Sequence, residues 1–162
     1  MSRLKFPCVF RPVAAVLALT LSGCDNAKAK QQAAVENFNK ETGAYREWSS
    51  AKRKAWTGDR MAGIALTREM VAKLRAIKTG DLPQDYKEAF HDFLSKFEKV
   101  EPVFAEIESP EGLKKADSDP VFRQQIAERL TKVMSESKSA GEWMDIVGRK
   151  YGIQEAGGLP TK

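Results

Sequence analysis

Two cysteines and one histidine are the whole supply of thiol and imidazole ligands in this chain of 162 residues. Cys8 and Cys24 form no Cys-x-x-Cys pair, and no Cys-x-x-Cys-His is present, which excludes covalently attached haem. His91 follows Glu88 at the Glu-x-x-His spacing of di-iron bundles. Such a site needs two of these motifs and two more carboxylates, so a ferritin-like centre is excluded. Gly-x-Ser-x-Gly, His-Glu-x-x-His and P-loop spacings are missing, and with them the usual machinery of hydrolysis and phosphoryl transfer. No segment alternates apolar and polar residues as a strand does, and no internal repeat is evident. The apolar run Val13 to Leu21, interrupted only by Thr20, is less than half the ~20 residues a membrane span requires.

What the N-terminus does contain is an ordered pattern. Arg3, Lys5 and Arg11 form a positive segment without an acidic residue, and the short apolar run follows it. That is the layout of an export signal. The run ends in Leu21-Ser22-Gly23-Cys24, where the small Ser22 and Gly23 give a peptidase open access to the bond before Cys24. This tetrapeptide resembles the lipobox of bacterial lipoproteins. The resemblance covers about two dozen residues and implies signal-peptidase recognition through Leu21, Ser22 and Gly23. It implies that Cys24 becomes the first residue and carries a diacylglyceryl thioether, with an acyl group on its amino end in many bacteria. Asp25 resembles the signal that holds such proteins at the periplasmic face of the inner membrane rather than sending them to the outer membrane. The alternatives are an ordinary secretory signal with Cys24 a free thiol, and an uncleaved anchor, which the short run disfavours.

Lipidation would leave no free thiol, and two or more acyl chains anchor stably where one does not. Charge changes with cleavage. The chain has 27 basic and 22 acidic residues, a net +5, and loss of the three N-terminal basic residues leaves +2. So small an excess gives no reason to expect nucleic acid. The 139 residues from Cys24 onward suffice for one domain with a proper core.

Four amphipathic helices are expected in that length. The first runs from about Lys30 to Trp56, with Ala34, Phe38, Tyr45, Trp48 and Ala55 on one stripe that Glu41 and Lys52 interrupt. Thr57-Gly58-Asp59 stops it and starts the second, which carries Ile64, Leu66, Met70, Val71, Leu74 and Ile77 and ends near Thr79-Gly80. In the third, Asp81 is the expected cap, Pro83 falls in the first turn, and Tyr86, Phe90, Phe93, Phe97, Val100, Phe104 and Ile107 keep an unbroken four-three alternation. Pro102 lies off that seam and should kink it near Phe97–Val100. Glu111 to Ser118 reads as a connector with one possible turn around Leu113. Asp119-Pro120 starts the fourth helix, whose stripe holds Phe122, Ile126, Leu130, Val133, Ser137, Ala140, Met144, Val147 and Tyr151, with Gly152 as its stop. Its small middle (Ser137, Ala140, Gly141) suits an aromatic neighbour. The expected architecture is all-α: signal peptide 1–23, lipidated tether 24–33, antiparallel four-helix bundle 34–152, and a flexible tail 153–162.

Candidate chemistry is sparse. Lys52-Arg53-Lys54, beside Trp48 and Trp56 and flanked by Arg46 and Arg60, is the densest basic cluster. It is a candidate partner or ligand surface, for anionic headgroups or an acidic partner, against the plainer role of a solvated helix face. Lys28 and Lys30 lie nearer the anchor and the headgroups. Asp117-x-Asp119 opens like a calcium loop, but Val121 occupies the next ligand position and the glycine is missing, so capping is the expected role. His91 with Met70 or Met144 is a conceivable haem pair, although its place beside Phe90 should turn it outward. The phenylalanines of the third helix are expected to be core. The expected function is a non-enzymatic, lipid-anchored envelope protein that binds another envelope protein, with no metal and no cofactor beyond the lipid. The alternative is a periplasmic carrier or sensor for a small apolar ligand or haem between the third and fourth helices.

Overall fold

The computed structural model describes residues 14–153, with side chains from residue 26 onward. All regular structure among the described residues is helical: α1 (Ala14–Ala55), α2 (Arg60–Ala76), α3 (Gln84–Glu98), α4 (Val100–Glu108), α5 (Pro110–Ser118) and α6 (Pro120–Arg149). Each boundary has a chemical cause. The turn after α1 uses Gly58 at φ +89°, which only glycine adopts freely, and Asp59 then accepts the Ala62 N–H at 2.7 Å to cap α2. Asp119 caps α6 by accepting from Val121 and Phe122, with Pro120 in the first turn.

The end of α6 is closed by a glycine in the left-handed region. Gly152 sits at φ +71°, its N–H meets the Arg149 carbonyl, and the Ile153 N–H donates to the Gly148 carbonyl at 3.0 Å. Those two bonds satisfy carbonyls that the helix leaves without partners, and they seat Ile153 in the core. Ile153, the first residue of the expected tail, is thus part of the core, and residues 154–162 lie outside the described residues.

Several expectations needed correction. Helix α1 begins well before Lys30, and the backbone of residues 24–33 belongs to it. Alanine, lysine and glutamine there lose little entropy in a helix. The connector Glu111 to Ser118 is helical because Ser109 accepts from the Gly112 N–H and Pro110 sits in the first turn. Asp81 does not cap α3: the cap position is Pro83, without a side-chain bond, after a turn closed by Leu82 N–H on Thr79. Tyr151 is not on the buried stripe of α6; its hydroxyl donates to Asp85 at 3.0 Å. The kink expected near Phe97–Val100 falls within that range, as a break at Lys99 between α3 and α4. Proline has no N–H for the Glu98 carbonyl one turn back. The seven seam residues from Tyr86 to Ile107 are nonetheless all buried across the break.

The core lies where α3 packs along α6, the most extensive helix contact. Small residues on α6 make it close: a Cβ on Gly148 would sit 3.0 Å from the Tyr86 ring. Helix α1 joins through Phe38, whose ring meets Tyr86 and Phe90 edge-on at 5.3 and 5.5 Å. Such pairs contribute about 1 kcal/mol each beyond area burial. Thr42 and Ser49 continue the buried face of α1; their hydroxyls return to carbonyls of the preceding turn. Helix α2 packs on α1 and α3. Its outer rim is ionic: Arg68 bridges Glu101 and Glu108 on α4, and Arg75 meets Glu98 at 2.7 Å. The hydrogen bonds from Arg68 hold the Glu101 carboxyl below its usual range. These pairs are largely exposed, so they fix register more than they stabilise.

Two substitutions test this packing. A Cβ on Gly112 would lie 1.9 Å from the Glu106 carbonyl oxygen, so Gly112→Ala should force α4 and α5 apart and cost about 2–3 kcal/mol in denaturant unfolding. The buried Tyr86 hydroxyl has no hydrogen-bond partner among the described residues. Tyr86→Phe should therefore raise stability by about 1 kcal/mol, and a loss of similar size would show that the hydroxyl is satisfied.

Candidate functional site

The basic, tryptophan-bearing end of α1 divides on folding. Trp48 is half-buried and faces α2, where the Lys73 ammonium sits 4.7 Å from its ring centroid. Tyr45, one turn earlier, lies 6.0 Å from it at a 38° tilt. Arg53 folds back and donates to Ser49 at 3.4 Å. Lys52 and Lys54 are exposed. Trp56 belongs to the turn: it is 49% exposed, its indole N–H donates to the Asp59 carbonyl at 2.8 Å, and its ring covers Gly63. The expected surface is thus two features, a groove at Trp48 and a packed turn at Trp56.

The groove lies between α1 and α2. It has a volume of about 450 Å³ and is lined by Ala44, Tyr45 and Trp48 on one side and Lys73, Ala76 and Ile77 on the other. The alanines make room and the aromatic rings supply apolar surface. Glu41 closes one end, where its carboxylate accepts the Lys78 N–H at 3.1 Å. Burial pushes the Tyr45 phenol up to about 12, partly offset by the positive charge of Arg53. The titratable side chains lining the groove are Glu41, Tyr45 and Lys73.

No known protein family, curated protein or solved structure matches this chain.

The remaining candidates fall as follows. Leu21, Ser22, Gly23, Cys24 and Asp25 are on the α1 backbone, and their side chains lie outside the described residues. His91 is exposed, against the edge of Phe90, whereas Met70 and Met144 are buried. Asp117 pairs with Arg60 at 3.6 Å and Asp119 is the α6 cap. Among the described residues no group of three or more His, Cys, Asp and Glu side chains could hold a metal ion. Nor is any helix among them long and apolar enough to cross a membrane. Glu98 and Glu101 are engaged by Arg75 and Arg68. Two further grooves flank the bundle, one between α1 and Tyr151–Gly152 and one beside Arg68 and Arg75. Both are lined largely by polar or charged side chains.

Sequence reasoning missed Lys73, Ala76 and Ile77 as groove residues. Their three- and four-residue spacing marks a helix face, but only the α1–α2 pairing shows which face meets Trp48.

Tyr45 gives a solution test. Its folded pKa of about 12 exceeds the unfolded value of 10.0, so the unfolded chain releases this proton first. Stability should be intact below pH 10 and fall between pH 10 and 12. Tyr45→Phe should flatten that fall in urea unfolding followed by circular dichroism; an unchanged slope would remove Tyr45 from the explanation.

Proposed function

We propose that this chain is a lipid-anchored envelope protein without enzymatic activity, which presents a helical domain to another envelope protein. The observation that carries this reading is Leu21-Ser22-Gly23-Cys24 at the end of a short apolar run behind Arg3, Lys5 and Arg11. Cys24 then carries the diacylglycerol and acyl chains, which are its only prosthetic group. Asp25 keeps it at the periplasmic face of the inner membrane. In this reading α1, α2, the broken α3–α4 helix and α6 act as an antiparallel four-helix bundle, and α5 is a cross-link between the third and fourth.

Two features support the reading. The α1 backbone is helical without interruption from Cys24 to Ala55. Cys24 is eleven residues before Val35, the first buried residue of α1 among the described side chains, so about 16 Å of helix separates anchor from core. Residues 26–30 on that stretch are exposed, as a stalk requires. Tethering then raises the local concentration of the groove, so a weak contact becomes an effective one.

The test is chemical. The N-terminal peptide of the membrane-bound protein should begin at Cys24 with two or three acyl chains by mass spectrometry. Cys24→Ala should abolish the acyl mass and the processing while leaving the helical circular dichroism unchanged. An N-terminus elsewhere, or a bare thiol at Cys24, would refute the anchor.

A further inference from the structure

We propose that the α1–α2 groove is a docking site for an amphipathic helix of another protein, one whose polar face carries carboxylates. This rests on the reading of the chain as a tethered binding module and deepens it by naming the surface and the chemistry of its partner.

Shape comes first. Ala44 on the α1 side and Ala76 on the α2 side are short, and they leave a trough between Tyr45 and Trp48 on one wall and Ile77 on the other. A helix laid into such a trough is held by apolar anchors spaced one turn apart. Tyrosine and tryptophan suit that role because they offer a large apolar contact at little entropic cost.

Charge selects the partner. Lys73 lies on the α2 wall with its ammonium over the Trp48 ring, and among the described residues it has no carboxylate partner. Lys52, one turn beyond Trp48 on α1, is exposed and likewise unpaired among the described residues. The one acidic lining residue, Glu41, is at the far end and occupied by the Lys78 N–H. Lys73 on the lining and Lys52 one turn beyond Trp48 thus stand without an ion-pair partner among the described residues, and a carboxylate on the incoming helix would meet them. A small organic cation is disfavoured, since Lys73 already covers the ring face it would need.

Position argues against lipid. Trp48 is 24 residues beyond Cys24, roughly 36 Å along a straight helix. Headgroups around the anchor do not reach it when α1 stands upright.

The experiment uses the full mature chain in neutral phosphatidylcholine vesicles, carrying Trp56→Phe and Trp143→Phe so that Trp48 is the sole indole of the three. The probe is a synthetic helical peptide with leucine at i, i+3, i+4 and i+7 and glutamate elsewhere. Its counterpart has lysine in place of glutamate. The glutamate peptide should shift Trp48 emission to shorter wavelength and bind at least about tenfold more tightly than the lysine peptide, a difference of 1.4 kcal/mol. Lys52→Glu with Lys73→Glu should erase or reverse that preference. Calorimetric titration of the chain with all its tryptophans should give the same ranking, which guards against a folding defect in the substituted chain. Equal binding of both peptides would overturn the proposal. So would an equal Trp48 response to phosphatidylglycerol vesicles, or burial of Trp48 by self-association alone. The acyl mass at Cys24 is read on the same preparation. A bare Cys24 with selective peptide binding refutes the anchor alone; an acylated Cys24 without it refutes the docking alone.

Discussion

Phe38 is the hinge pin of the molecule. Its ring is wedged edge-on between Tyr86 and Phe90, and those two rings belong to the helix that packs most extensively in the core. Through this one side chain the long α1 helix is fixed to the α3–α6 pair. Toward the N-terminus α1 buries Val35 and then exposes residues 26–30; on the other side Thr42 and Ser49 stay buried. Those two hydroxyls satisfy themselves on their own helix, so α1 approaches its neighbours closely without leaving an unpaired donor. Everything proposed for the groove depends on that fixation, because Trp48 and Tyr45 are placed by α1.

The α3–α6 contact shows how side-chain size does the positioning. The ridge on α3 is aromatic, and α6 answers it with Ser137, Ala140, Gly141 and Gly148 among its buried residues. Neither helix could approach as closely with a medium-sized side chain at both faces. Helix α2 is held differently. It has three buried side chains, Ile64, Met70 and Leu74, and an outer rim of arginine–carboxylate pairs. A helix held partly by exposed ion pairs can leave apolar surface uncovered beside it, and the groove is that surface.

Much of this was legible in the order of residues. The seam from Tyr86 to Ile107, the break at Pro102, the Asp59 and Asp119 caps and the Gly152 stop are local effects of period and turn chemistry, and local effects are written in a one-dimensional string. The helical character of 24–33 and of 110–118 was harder to read. Those stretches have little apolar periodicity, and their helicity comes from propensity and from Ser109. The groove was only half visible. Trp48 and Lys52 attract notice in the sequence, but Lys73 and Ile77 become its opposite wall only when α2 folds back along α1. Trp56 lies in the turn rather than in the groove: its indole N–H donates to the Asp59 carbonyl and its ring covers Gly63.

The central claim is that α1 is one rod, carrying the groove at a fixed height above the proposed attachment point at Cys24. Spin labels at positions 28 and 52, with the full chain in vesicles, measure this directly by pulsed electron resonance. A straight helix predicts a single narrow distance near about 36 Å. A broad distribution, or one centred well below that value, would mean that α1 bends or frays between anchor and groove, and the account would fail.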